Sequence, residues 1–318
     1  MLTFAARRLL TLVPTWLGVT LLAFTLASMS PGDPAELILN RRLEEPPTPR
    51  QIAEFRERTG LNDPFFVQYG NFLADALRGD LGTSFRSADP VREELMARLG
   101  PTLQIAVPSF VVSALVAVAF GVVAALRRNS IADHLSRAAA LVFESVPSFA
   151  LAYMLIIVLS IHFGLLPVAG RGSLRHYVLP VLTLTLTTMA TTMRLTRSSL
   201  LDVLGQDYIR TARAMGLPER QIIFRLALPN ALIPVVTVAG LILAGFVTGV
   251  VIIEIVFAWP GVGRYIVGAV FDRDYPVITG FVVFTGTVFV LVNLTVDLLY
   301  KRLDPRVRLT GRPGGAHG

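Results

Sequence analysis

The sequence predicts an all-α integral membrane protein with six transmembrane helices and one sizeable segment outside the bilayer between the first two. Of its 318 residues, 53% are hydrophobic and only 16% charged, whereas soluble domains carry about 25% charged residues. Six runs nearly free of charge approach the ~20 residues a helix needs to cross about 30 Å of hydrocarbon, where each backbone amide must bond within its own segment. Arg and Lys, finally, are divided unevenly between the two sets of loops joining those runs.

The runs are residues 9–29, 101–126, 138–169 (interrupted by Glu144), 177–193, 226–253 (with an interfacial N-terminal end) and 275–296. Arg7 and Arg8 precede the first as they would a secretory signal, but 21 uncharged residues exceed a usual signal core and no small-residue cleavage site follows. The run is therefore read as a retained helix. Six spans place both termini on one side. That side holds 16 basic residues, among them Arg127, Arg128, Arg137, six Arg between 194 and 225, and Lys301, while the opposite short loops hold Arg171, Arg175, Arg264 and Arg273. By the positive-inside rule both termini are cytoplasmic. Basic residues beside cytoplasmic span ends also account for the net charge of +7, so no nucleic-acid partner is implied.

Residues 30–100 are rich in Pro and charge and form the extracytoplasmic domain between the N-terminal span (1–29) and a permeating core (101–308); residues 309–318 read as a flexible tail. Thr48 as N-cap and Pro49 at N1 open a helix through Arg58, and residues 67–77 form another. The 12 acidic residues against 9 Arg in this segment suit a surface that meets another protein, and equally a solvated loop.

The cytoplasmic loop 195–225 carries a short helix over residues 207–215, stopped by Gly216 in the left-handed conformation with Leu217 as the accompanying apolar contact. Pro218 and Glu219 open a second helix leading to Pro229. Such a knob, with Ala212 and Ala214 exposing backbone, suits a groove on a partner; a linker packed only on its own subunit is the alternative.

Several chemistries are excluded. Lys301 is the only Lys, and Arg302 follows it, so no Gly-rich phosphate loop ending in Lys-Ser/Thr exists and any ATP hydrolysis takes place elsewhere. His134, His162 and His176 form no i, i+4 metal pair, no Gly-x-Ser-x-Gly elbow occurs, and the absence of Cys removes disulfides and thiolate sites. The chain is read as a non-enzyme without cofactor or metal.

At the cytoplasmic loop the sequence resembles the permease family of ABC importers, with its E-A-A, G, I-x-L-P signature. Thr211 and Ala212 take the Ala positions, Gly216 the Gly, and Leu226, Leu228 and Pro229 the closing residues; Arg210 replaces the Glu. That replacement agrees with the dipeptide and oligopeptide branch, whose D-Y-x-R-T-A-R-A-x-G-L form stands here as Asp207, Tyr208, Arg210, Thr211, Ala212, Arg213, Ala214, Gly216 and Leu217. Further stretches resemble the same branch: residues 31–34, 67–69, 79–84, 145–149, 254–263 (Glu254 through Trp259, Pro260 and Gly261), 273–276, 292–300 and 304–306. The resemblance implies the type I importer permease fold in a bacterial or archaeal inner membrane. It also implies a pore of two permeases, two ATP-binding subunits beneath, a substrate-binding protein above, and residues 207–217 as the coupling helix.

Polar residues within the runs carry the remaining expectations. Charges in hydrocarbon cost a few kcal/mol, so Glu144, Glu254 and Asp297 need water, a partner or a span end. Glu254, just before the Trp259, Pro260 and Gly261 break, reads either as part of an extracytoplasmic gate or as an ion pair with Arg264 or Arg273; Asp297 pairs with Lys301 at i, i+4. The fourth run holds Thr183, Thr185, Thr187, Thr188, Thr191, Thr192 and Thr196, which either line a polar path or back-bond to their own helix. Gly245 and Gly249 form a close-packing contact, against a second permease or within the subunit. Pro147 and Pro180 mark kinks. The resemblance implies a di- or oligopeptide cargo, with nickel, glutathione or oligosaccharide carried by the same machinery as the alternative; the rival from another class is a self-sufficient secondary transporter, which predicts inverted repeats that the sequence does not display.

Overall fold

A computed structural model describes residues 2–29, 33–43, 45–247 and 250–303; side chains before Val13, at positions 34, 37, 41 and 42, and after Thr295 lie outside it. The chain is mostly helical, and no β-strand occurs among the described residues. In order, the helices are α1 (Leu2–Ser28), α2 (Pro34–Arg42), α3 (Pro49–Arg58), α4 (Phe65–Leu77), α5 (Val91–Leu126), α6 (Ile131–Ser145), α7 (Ser148–Leu155), α8 (Arg175–Leu204), α9 (Asp207–Ala214), α10 (Glu219–Gln221), α11 (Leu228–Val247), α12 (Val251–Val256), α13 (Val262–Phe271) and α14 (Tyr275–Leu303). Two π-helical segments, Ile156–His162 after α7 and Ile222–Ala227 between α10 and α11, complete the set.

Among the described residues four helical stretches are long and apolar enough to cross a membrane: Val91–Leu126, Arg175–Leu204, Glu219–Val247 and Tyr275–Thr295. The third apolar run is not one straight helix. It divides into α6 and α7 with its π segment, bent by 104°, because Pro147 stands at the break and offers no amide to continue α6. Pro180, in contrast, sits near the start of α8 and leaves that helix continuous. The fifth run is also broken before Glu254: α11 is described to Val247, Val250 is no longer helical, and Glu254 belongs to the separate, six-residue α12.

Two compact units divide the chain, one built mainly from residues 105–247 and the other from residues 7–104 and 248–290. In the first, the lower part of α5 packs against α8 at a glycine. A Cβ on Gly121 would stand 2.7 Å from Thr196 Cβ and 2.8 Å from the Met193 carbonyl oxygen, so the two backbones approach as only Gly allows. Gly121→Ala is expected to lower the thermal midpoint of the purified protein, at a cost of roughly 1–3 kcal/mol. Gly245→Ala, where an added Cβ meets nothing within 4 Å in this chain, is the control.

α8 is tied to α6 by charge. Asp133, fully buried, accepts from Arg197 Nε and Nη2 at 2.7 Å each and from the Asn129 amide at 2.9 Å, with Arg137 Nε at 3.4 Å. Glu144 finds the partner its position requires in Arg194, whose Nη2 donates at 2.9 Å. The side chains of Asp297 and Lys301, and Gly249, lie outside the described residues.

In the second unit α3 begins with a full capping box, in which the Gln51 amide donates to Thr48 Oγ1 and Gln51 Oε1 accepts from the Thr48 amide. The helix α2, which apolar periodicity does not reveal, is capped by Asp33 through the Ala35 amide. α4 lies against α1. Tyr69 Oη bonds the Leu17 carbonyl at 3.2 Å and Thr20 Oγ1 at 2.9 Å, and Phe24 of α1 packs among Phe65, Tyr69 and Phe72.

Candidate functional site

Two places gather the residues singled out by sequence. The first is α9 and its flanks, in the unit of residues 105–247. Ile209 and Ala212, one turn apart, face inward and join Leu200, Ile222, Ala227 and Ala231 in one apolar cluster. The other face is open: Asp207, Tyr208, Arg210, Thr211, Arg213 and Ala214 are all exposed, as are Met215 (76%) and Leu217 beyond the helix. Ala212 is thus not part of the exposed knob, contrary to expectation. The i, i+3 spacing of Ile209 and Ala212 is the signal that assigns it inward.

The helix stop is built locally. Gly216 adopts φ +78°, its amide bonds the Arg213 carbonyl at 3.0 Å, and the Leu217 amide bonds the Ala212 carbonyl at 3.3 Å. These paired bonds are a Schellman motif. Arg213 then spans the turn to Glu219, with Nη2 to Oε1 at 2.7 Å and Nε to Oε2 at 3.2 Å. Arg210, in the place of the signature Glu, pairs with Asp207 at 3.4 Å. Pro229 is exposed, and Tyr208 reaches Asn230 Nδ2 at 3.4 Å.

The second place, in the unit of residues 7–104 and 248–290, surrounds Glu254. Its side chain is fully buried and accepts from Thr102 Oγ1 (2.6 Å), from the Arg264 amide (2.9 Å) and from the Gly263 amide. Thr102 Oγ1 in turn accepts from the Val262 amide at 2.9 Å. Trp259 is fully buried too, its Nε1 donating to the Pro101 carbonyl at 2.8 Å. Gly261 is buried where a Cβ would stand 2.1 Å from Glu254 Oε1; of the group only Pro260 is exposed. The expected ion pair of Glu254 is therefore corrected: its partners among the described residues are a hydroxyl and backbone amides rather than an arginine side chain. The Arg264 guanidinium donates instead to the Ala258 carbonyl at 2.8 Å. The carboxylate acts as a brace that ties the α12–α13 turn to α5.

Two other motifs of the resemblance meet in the same unit. Asp274, from residues 273–276, accepts from Ser84 Oγ at 2.5 Å and from the amides of Phe85 and Arg86 at 3.0 and 3.2 Å, so residues 190 positions apart close one loop. Above it lies a cavity of about 410 Å³ lined by Arg86, Arg98, Arg264, Tyr265, Glu94 and Asp272. Arg86 pairs with Asp272, Arg98 with Glu94, and the Arg98 guanidinium stands 4.0 Å over the Tyr265 ring.

The threonines of α8 mostly bond their own helix: Thr183 to the Leu179 carbonyl, Thr187 to Thr183, Thr188 to Leu184 and Thr196 to Thr192. Thr188 also meets Ser113 Oγ at 2.8 Å, and Thr192 is only 2% exposed. Thr192 is thus buried within the subunit.

Residues 117–309 match the family described as the binding-protein-dependent transport system inner membrane component, and residues 1–106 match its N-terminal companion. The chain belongs to this family of transport permeases. Over 97% of its length it is 40% identical to the dipeptide transport system permease protein DppB of Alkalihalophilus pseudofirmus, covering 100% of that protein. It is 41% identical to the glutathione transport system permease protein GsiC of Escherichia coli O6:H1, across 97% of this chain and 99% of the relative. Among solved structures, the inward-facing MetNI methionine ABC transporter superposes with a TM-score of 0.53 at 21% identity, over 66% of this chain and 96% of that one. That likeness is one of fold, and it is the type I importer permease fold.

Proposed function

We propose that the chain forms half of a peptide translocation pathway in a bacterial or archaeal inner membrane, paired with a second permease. Two separate ATP-binding subunits drive it and an extracytoplasmic substrate-binding protein delivers the cargo. The observation that carries this is α9: a short, rigidly stopped helix with one face locked into its own subunit and the other bare. Six spans, comprising α1, α5, the bent α6–α7 pair, α8, α10 through α11, and α14, leave both termini and α9 in the cytoplasm, where an ATPase can reach it. The relatives' names favour dipeptides as cargo, with glutathione, itself a peptide, as the second reading.

Residues 207–217 act in this reading as the coupling helix. Met215→Glu, which puts a charge on the most exposed apolar residue of the turn, is expected to release the ATPase during co-purification in detergent and to abolish uptake while leaving the thermal midpoint unchanged. Gly216→Asp strains the left-handed stop by about 1–2 kcal/mol and is expected to uncouple hydrolysis from transport. Retention of no ATPase by the wild type, together with solute movement by the chain alone, would overturn the reading in favour of a secondary transporter. Competition between dipeptides and glutathione in reconstituted vesicles distinguishes the two cargoes.

A further inference from the structure

We infer that α4, although it belongs to the segment outside the spans, is seated in the outer leaflet and presents a lipid-facing stripe to the bilayer. The inference rests on the membrane-spanning reading of α1 and not on the identity of the cargo.

Two helices of the same segment have opposite chemistry. α3 carries Arg50, Glu54, Arg56, Glu57 and Arg58 within ten residues, as a solvated helix should. α4 carries no charged residue from Phe65 to Ala74, and its first charge is Asp75. Its inner side, Phe65, Tyr69 and Phe72, is engaged by Phe24 of α1. The outer side is nevertheless apolar as well: Phe66 is 79% exposed and Leu77 74% exposed, with Gly70 and Ala74 exposed at helical spacing between them. A helix apolar on two sides has no reason to stand in water.

Placement identifies what covers the outer side. The Tyr69 hydroxyl bonds the Leu17 carbonyl and Thr20 Oγ1, both in the interior of an uncharged run that the sequence commits to hydrocarbon. α4 therefore lies alongside α1 where α1 itself exposes Leu22 and Leu26. The edge formed by Asn71, Asp75 and Arg78 is exposed and polar, so the helix has the two-sided chemistry of one lying in the interface, with aromatic and aliphatic residues at the acyl boundary and charges toward water. Acyl chains and the glycerol region of outer-leaflet phospholipid are the occupant this chemistry fits.

The chain has no Cys, so single-cysteine probes placed on it meet no background from this subunit. Phe66→Cys and Leu77→Cys, with Glu57→Cys on α3 as the aqueous reference, would each be nitroxide-labelled in the assembled transporter reconstituted into phosphatidylethanolamine–phosphatidylglycerol vesicles. Power saturation is then read against oxygen and against a water-soluble nickel chelate. The expected result is an oxygen-to-nickel accessibility ratio several-fold higher at residues 66 and 77 than at 57. Ratios equal to that at 57 would place α4 in water and overturn the inference. Low accessibility to both quenchers would show that protein, such as the second permease, covers the stripe, and would overturn it equally. Substrate uptake in the same vesicles reports on the proposed function separately, since loss of uptake leaves the accessibility ratio untouched.

Discussion

Replacing Gly261 by Ala is expected to abolish transport and to leave little folded protein. The added methyl would overlap Glu254, at 2.1 Å from Oε1, 2.2 Å from Cδ and 2.5 Å from Oε2. A long side chain usually swings aside at modest cost, but this one has nowhere to go. Its carboxylate is buried and held by Thr102 and the amides of Gly263 and Arg264, and movement would strand those donors as well. Overpacking costs about 1–3 kcal/mol, and each stranded buried donor or acceptor about 1–3 kcal/mol more. The sum is comparable with the whole stability of an ordinary domain. Thermal unfolding in detergent of Gly261→Ala beside Gly268→Ala, a helical glycine with nothing within 4 Å, checks this directly. Equal midpoints for the two variants would show that the brace does not exist.

Breaking the link between α6 and α8 is the second large effect. Asp133→Asn leaves Arg197, whose side chain is 17% exposed, without its bidentate acceptor. Removing one partner of a buried ion pair costs about 3–5 kcal/mol, whereas replacing both partners by apolar residues is often neutral. The thermal midpoint should therefore fall sharply in Asp133→Asn and recover in the double variant Asp133→Leu with Arg197→Met. Failure of the double variant to recover would mean that the pair does more than hold the two helices.

What could be read in the sequence divides by range. The Thr48 cap, the Gly216 stop and the break at Pro147 are set by residues within one turn of each other, and each appears where its neighbours require it. The apolar runs were legible because hydrocarbon imposes length and composition directly. The role of Glu254 was not, since its fixed partner Thr102 stands 152 residues away and nothing near Pro101 marks that hydroxyl as a donor. Asp274 and Ser84 were each visible within a motif, but that the two motifs touch is a tertiary fact. The threonines of α8 illustrate the remaining gap. Composition shows that hydroxyls are present, while only packing decides whether they turn to a lumen or to their own carbonyls.

The π-helical segment Ile222–Ala227 lies between the turn after α9 and the long helix α11. A π turn accommodates about one residue more than an α turn over the same path. One position in this stretch is thus surplus to the geometry, and losing it would let the segment relax to α-helix with both ends in place. Permeases of this kind should therefore tolerate a difference of one residue in length here, within an otherwise unbroken helix. The same deletion a few positions later, inside α11, would rotate every following side chain by about 100° and turn its buried face outward.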